Sequence, residues 1–227
     1  MEILQPDARK AALLSRFERA GGVLEFVQVT LPGEEPSQAA HAAAVCAAMH
    51  ELRRKATAFG ASLAAQGRIT AEAVSRYAFA FDCAGLAGRP IGLREFLGAQ
   101  YALERGRCIL RGRDPHLNRW FVVGDEQSKQ GAVRFGGAGL PPDHGLVYAF
   151  AEPPYNLQLS AEETDALFHE IVQAYLGGLD ERLEIFAWPA DWSAYFDDGR
   201  EWWGTFLWSV YRPGESHITV ILGSATD

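Results

Sequence analysis

The sequence predicts an α+β fold, with helices mainly in the N-terminal half and an antiparallel sheet in the C-terminal half. Three observations carry this. A run opened by Ser37 and ending near Gln66 places apolar residues at helical spacing. From Cys108 onward the texture changes to short β-rich runs separated by glycine and proline. The chain then ends in two alternating runs on either side of Arg212-Pro213-Gly214-Glu215. At 227 residues, 48% apolar and 22% charged, it is long enough to bury a proper core. It reads as one domain, 1–227, with a soft seam near 107 between a helix-rich 1–106 and a sheet-rich 107–227.

Residues 7–20 predict a short helix closed by Gly21-Gly22, followed by a strand over Val23–Leu31 and a loop at Pro32–Pro36. In the long helix after Ser37, the residues Val45, Met49, Leu52, Ala56, Phe59 and Leu63 recur every three or four positions, a single apolar stripe. Thr70 caps a further predicted helix carrying Val74, Tyr77 and Phe81, and Leu93–Glu104 supplies another. Strands are expected at Asn118–Val123, Ala132–Phe135 and Leu146–Ala151. Ser160 with Glu163 forms a capping box for a helix through Tyr175 that stops at Gly177-Gly178. Leu183–Trp188 reads as a strand, and Thr205–Tyr211 with His217–Leu222 as a hairpin. In the hairpin Phe206, Trp208 and Val210 share one face, as do Ile218, Val220 and Leu222.

The start, MEILQPDARK, lacks an apolar segment behind its charges, and no run is long and apolar enough to span a bilayer. The reading is cytoplasmic. Cys46, Cys83 and Cys108 are odd in number and widely spaced, so they are expected to be small buried thiols, neither a disulfide framework nor a zinc site. Residues 1–113 hold 15 Lys/Arg against 11 Asp/Glu, a net of +4, whereas 114–227 hold 6 against 18, a net of −12. Such an acidic second half argues against nucleic-acid binding. It leaves two readings: the halves neutralise each other, or an acidic face steers a basic partner. Arg105, Arg107, Arg111 and Arg113 form a basic stripe, for which pairing with the protein's own acidic half is favoured over an external anion.

Ala151-Glu152-Pro153-Pro154-Tyr155-Asn156-Leu157 resembles the Asp/Asn-Pro-Pro-Tyr motif of amino-directed DNA methyltransferases, and Phe135–Gly139 their glycine loop. Only 12 residues separate Gly139 from Glu152. In that fold the two lie on different parallel strands, joined by crossovers of a dozen or more residues each. The segment therefore reads as a rigid Pro-Pro loop, and Gly136–Gly139 as a turn without a phosphate-cradle motif. His41, His50, His116, His144, His169 and His217 show no metal-ligand spacing, and no nucleophile motif is present, so no catalytic residue, metal or cofactor is expected. His144 is the histidine singled out for testing.

Five of the six tryptophans fall within Trp188–Trp208, among Asp191, Asp197, Asp198 and Glu201. Pro189 takes the chain off its strand and Asp197-Asp198-Gly199 signals a turn. Together they predict an aromatic loop cluster rimmed by carboxylates. Consecutive Trp202 and Trp203 cannot both face one pocket, which places one of them near the surface. The expected site is Trp188, Trp192, Tyr195, Asp197, Asp198, Glu201, Trp202 and Trp203. Its expected role is non-catalytic capture of a basic protein partner, immunity- or adaptor-like. The alternatives are a loop tied down by its own aromatics, and a hydrolase-type carbohydrate or small-ligand site with tryptophan stacking and paired carboxylates. The string Trp192–Gly204 (W-S-x-Y-F-D-x-G-x-E-W-W-G) resembles a C-terminal signature of uncharacterised bacterial proteins; the resemblance implies no activity.

Overall fold

A computed structural model describes the whole chain except residues 32, 34–35, 113–118, 132, 134–143, 202 and 226–227. The fold is α+β, with the longest helix in the N-terminal half and the longest strands in the C-terminal half. Two compact units are interleaved along the chain. The first comprises residues 1–5, 25–90 and 186–226; the second comprises 6–24, 91–185 and 227. Both draw on either side of residue 107. Counted this way, the first unit has 12 Asp/Glu against 8 Lys/Arg and the second 17 against 13, so each is −4.

The first unit is built on a sheet of order β1-β2-β9-β8-β7-β3. The strands are β1 (Ile3–Leu4), β2 (Glu25–Thr30), β3 (Arg89–Ile91), β7 (Glu184–Ala187), β8 (Thr205–Tyr211) and β9 (His217–Ser224), the unit boundaries along the chain falling inside β3 and β7. The registers pair Val27 with Val220 and Val29 with Ile218. Leu207 meets Leu222, and Tyr211 meets Ile218. All seven face helix α2 (Gln38–Ala65), whose Val45, Ala48, Met49 and Leu52 complete the core. Each such aliphatic side chain contributes about 1.5–3 kcal/mol on full burial. The period of two holds in the hairpin, and Phe206, Trp208, Val210 and Ile221 on the opposite face are buried as well.

The Ser37 hydroxyl caps α2 by accepting from the Ala40 N–H, and the helix ends at Gln66 as expected. The expected stripe fails at Phe59, which is 59% exposed. A helix of 28 residues is about 42 Å long, and its last turns run beyond the residues that pack on the sheet. There Gly60 faces the Tyr77 ring so closely that a Cβ would sit 2.5 Å from it. The helix expected after Thr70 is only a 3-10 turn over Glu72–Tyr77. Phe81, expected on that helix, lies beyond it, packs partly buried against the core and bridges Ser193 in antiparallel fashion. Two residues on, Cys83 is joined to Cys46 of α2 in a disulfide, with a Cα separation of 6.1 Å. The expectation of three free thiols is corrected: the partners lie 37 residues apart, and only the tertiary fold brings them together. Cys108 is free and buried.

The second unit holds α1 (Ala8–Arg19), α3 (Leu93–Leu97), α4 (Glu126–Gly131), α5 (Leu146–Ala151) and α6 (Ala161–Leu176). Its small antiparallel sheet is β4 (Tyr101–Ala102), β5 (Arg107–Arg111) and β6 (Trp120–Val122). Phe17 stacks on Phe150 at 4.3 Å, and Phe150 meets Phe168 edge-on at 5.3 Å. The capping box of Ser160 and Glu163 and the left-handed Gly177 stop are as expected.

Two expectations are corrected here. Leu93–Glu104 is helical only to Leu97, because Gly98 at φ 78° turns the chain into β4. Leu146–Ala151 is a helix, not a strand. The run is apolar throughout, buried at every position but Tyr148, and periodicity cannot type such a run. Gly145, at its N-cap, approaches the main chain of Leu97 and Gly98, where a Cβ would come within 2.5 Å. The strand expected at Ala132–Phe135 and the Gly136–Gly139 turn lie outside the described residues, apart from Val133, whose N–H bonds the Trp120 carbonyl.

Candidate functional site

The aromatic-acidic segment begins where β7 ends. The Trp188 N–H donates to the Leu207 carbonyl, and its indole is buried against Gly88, which a Cβ would bring 2.9 Å from the ring. The indole N–H donates to Ser209 Oγ at 2.8 Å, and Ser209 also meets His41 Nδ1 at 2.8 Å. Burial pushes the His41 imidazole down to about 4, so it is neutral in this core.

Beyond Pro189 the segment is held by its main chain. The Asp82 N–H donates to the Trp192 carbonyl and the Ala194 N–H to that of Ala80. Ser193 Oγ accepts from the Tyr195 N–H to start the 3-10 turn Ala194–Phe196. Trp192 is half-buried; its indole N–H reaches back to the Pro189 carbonyl at 2.6 Å. Tyr195, also half-buried, lies against Phe196 and Phe79. Burial, and then the Glu25 carboxylate, hold its phenol in the neutral form by raising its pKa.

A second 3-10 turn covers Asp198–Glu201. Gly199 is required there, since a Cβ would sit 2.4 Å from Ser224 Oγ and 2.6 Å from the Gly204 carbonyl. Trp203 is buried, edge-on to Phe206 at 4.7 Å, with Trp208 next in the stack. Its indole nitrogen has no hydrogen-bond partner among the described residues.

The expected single cluster is thus divided. Trp188 and Phe196 belong to the core on the α2 face, whereas Trp203, Phe206 and Trp208 form a separate buried stack. The strand alternation between Phe206 and Leu207 accounts for the split. Asp191, Asp197 and Asp198 are exposed, and Asp197 makes a loose 3.7 Å ion pair with Arg200, whose guanidinium also donates to the Ala190 carbonyl. Trp202 and the Glu201 side chain lie outside the described residues. What remains open to solvent is an acidic ledge: the three aspartates, with Trp192 and Tyr195 half-covered beside them.

Sequence reading missed what lies behind Trp192. Its ring meets Phe81 edge-on, and Phe81 in turn carries the His50 ring at 4.8 Å and the Arg53 guanidinium at 4.7 Å. His50 and Arg53 are neighbours on one helix, but 81 and 192 are too far along the chain for any local pattern to connect them; the Cys46–Cys83 bond ties the first to α2, and the Phe81–Ser193 bridge brings in the second.

The second unit concentrates its polar groups differently. The buried Asp165 carboxylate accepts from Arg107 and from the Cys108 N–H, both at 2.8 Å. His169 Nδ1 lies 2.7 Å from the Asp165 carbonyl, and its Nε2 is 3.0 Å from the Tyr101 hydroxyl. Burial pushes the Tyr101 phenol up to about 12 and the Cys108 thiol well up, so neither is an activated nucleophile. Arg105 bonds Asp125, and Arg111 bonds Glu152 at 3.4 Å. Three of the four stripe arginines therefore pair with carboxylates from the acidic second half, as expected; Arg113 and His116 lie outside the described residues. His144 stacks flat on Tyr148 at 4.2 Å. Among the described residues no cluster of His, Cys, Asp and Glu is arranged to hold a metal, and no helix is long and apolar enough to cross a membrane. No family model, curated protein or solved structure matches this chain.

Proposed function

We propose that the protein is a non-catalytic binding protein that captures a basic protein partner on the acidic ledge of Asp191, Asp197 and Asp198. The observation that carries this reading is that the three carboxylates are exposed on a segment whose main chain is already tied to residues 80–82 and to Gly204. Pre-ordered charge is presented to a partner without the cost of immobilising a loop. Trp192 and Tyr195 supply apolar anchoring next to it, in the arrangement of a polar rim around aromatics. Nucleic acid has no place in this reading, since the ledge would repel phosphates. The resemblance of Trp192–Gly204 to a bacterial C-terminal signature is consistent with it and adds no chemistry. A hydrolase would need carboxylates facing each other across a tryptophan-lined cleft. Here they share one exposed segment while Trp188 and Trp203 are buried.

A cytoplasmic setting belongs to this reading, and there the Cys46–Cys83 bond would face reducing thiols. Affinity capture from native lysate with the wild-type chain and an Asp191→Asn/Asp197→Asn/Asp198→Asn variant tests the proposal. The expected result is a basic protein retained by the wild type, lost from the variant and lost again at about 0.5 M salt. Equal retention by both chains removes the ledge as the site.

A further inference from the structure

The outer flank of α2 and Ala78, just past the 3-10 turn, enclose an open groove of about 500 Å³. Thr57, Ala58, Ala61 and Ala78 line its length, and His50, Arg53 and Arg54 stand at one end. The Thr57 hydroxyl is spent on the Arg53 carbonyl at 2.8 Å, so the floor offers methyl and methylene groups and no free donor. Arg54 is neutralised by Glu51 through two 2.7 Å hydrogen bonds. Arg53 differs. Its guanidinium lies over the Phe81 ring, its Nη2 is 3.5 Å from His50 Nδ1, and no carboxylate is bonded to it among the described residues. A half-buried guanidinium, oriented by an aromatic ring and with no carboxylate bonded to it among the described residues, has the fork geometry that fits two coplanar oxygens.

We propose that this groove binds a small carboxylate borne on an aliphatic or aromatic body. The carboxylate would be taken by Arg53 with His50 beside it, and the body laid over Ala58, Ala61 and Ala78. The guanidinium matches the two planar oxygens of a carboxylate, and the donor-free floor excludes sugars and other polyhydroxylated ligands. The site is cationic and lies on another element from the acidic ledge, so it stands or falls independently of the partner proposed above.

The test is titration of octanoate into the isotopically labelled full chain, followed by amide NMR. Saturable shifts at Ala58, Ala61 and Ala78 with a dissociation constant of about 1 mM or tighter are expected. Arg53→Gln should weaken binding at least about tenfold, and octanamide should bind correspondingly more weakly to the wild type. Ala61→Leu, at an exposed helical position, should block octanoate by filling the groove while leaving the helical circular dichroism unchanged. Absence of saturation overturns the proposal, as does wild-type affinity in Arg53→Gln or in Ala61→Leu. Inorganic phosphate binding as tightly as octanoate would mark a plain anion patch and overturn it equally.

Discussion

The two units carry the same net charge and dispose of it in contrasting ways. In the second unit arginines are matched to carboxylates, Arg107 to the buried Asp165 above all, with Arg105–Asp125, Arg111–Glu152 and Arg16–Glu170 around it. In the first unit the polar groups of the core are neutral, His41, Ser209 and the Trp188 indole, while Asp191, Asp197 and Asp198 are left to solvent. The difference teaches that a charge imbalance between halves of a sequence is not a property of a surface. Values of +4 and −12 along the chain become −4 and −4 once each unit has drawn segments from both halves. What distinguishes the candidate site is local: three exposed aspartates on one short segment, of which, among the described residues, only Asp197 makes an ion pair, a loose one with Arg200.

The strongest way to break this comparison is at the covalent link of the first unit. Replacing Cys46 and Cys83 together with Ala should destabilise the chain by about 4 kcal/mol, the loop-closure value for a 37-residue separation, as read from urea unfolding. Amide exchange should then rise in residues 25–90 before residues 91–185; a uniform rise would show that the two units unfold together. Protonation of the neutral core is next. The folded-state pKa of His41, about 4, is below its usual 6.5, so the unfolded chain takes up the proton first as pH falls. The contribution is fully present above pH 6.5 and lost on descending to pH 4, an order of about 3 kcal/mol. His41→Gln should flatten that part of the stability–pH curve, and an unchanged slope would assign it elsewhere.

In the second unit, Asp165→Ala should cost about 2–4 kcal/mol by stranding the Cys108 N–H and unpairing Arg107. Water reaching the half-exposed Arg107 keeps the figure below that of a wholly buried pair. A Cβ at Gly145 would strike main-chain atoms, whereas one at Gly60 would strike the half-buried Tyr77 ring. Gly145→Ala should therefore cost about 1–3 kcal/mol in thermal unfolding, while Gly60→Ala, with its gain in helix propensity, should stay near zero. The smallest effect belongs to the ledge: each aspartate-to-asparagine change there should alter stability by no more than about 0.5 kcal/mol. A larger loss would mean that the carboxylates hold the fold together.

Much of this was legible in the residues. The Ser37 cap and Gln66 end of α2, the Ser160–Glu163 box and the final hairpin are local signals, set by side chains within four positions or by strict alternation. The acidic turn at Asp197-Asp198-Gly199 was legible for the same reason. The failures share a cause. Leu146–Ala151 is apolar at every position, and the helix expected after Thr70 is undone by the pull of Phe81 and Cys83 on distant partners. Of the tryptophans, their crowding in sequence was visible, but the separation of buried Trp188 from buried Trp203 and Trp208 was not.

By itself, then, the amino-acid order determined the fold class, the helix caps, the strand periods and the position of the acidic turn, because each depends on neighbours along the chain. Only the tertiary structure decided which indoles are buried, which cysteines join, which arginines are neutralised, and that Arg53 stands over Phe81 beside an apolar groove. Those outcomes depend on groups tens of residues apart meeting in a packed interior, where local pattern carries no information about the partner.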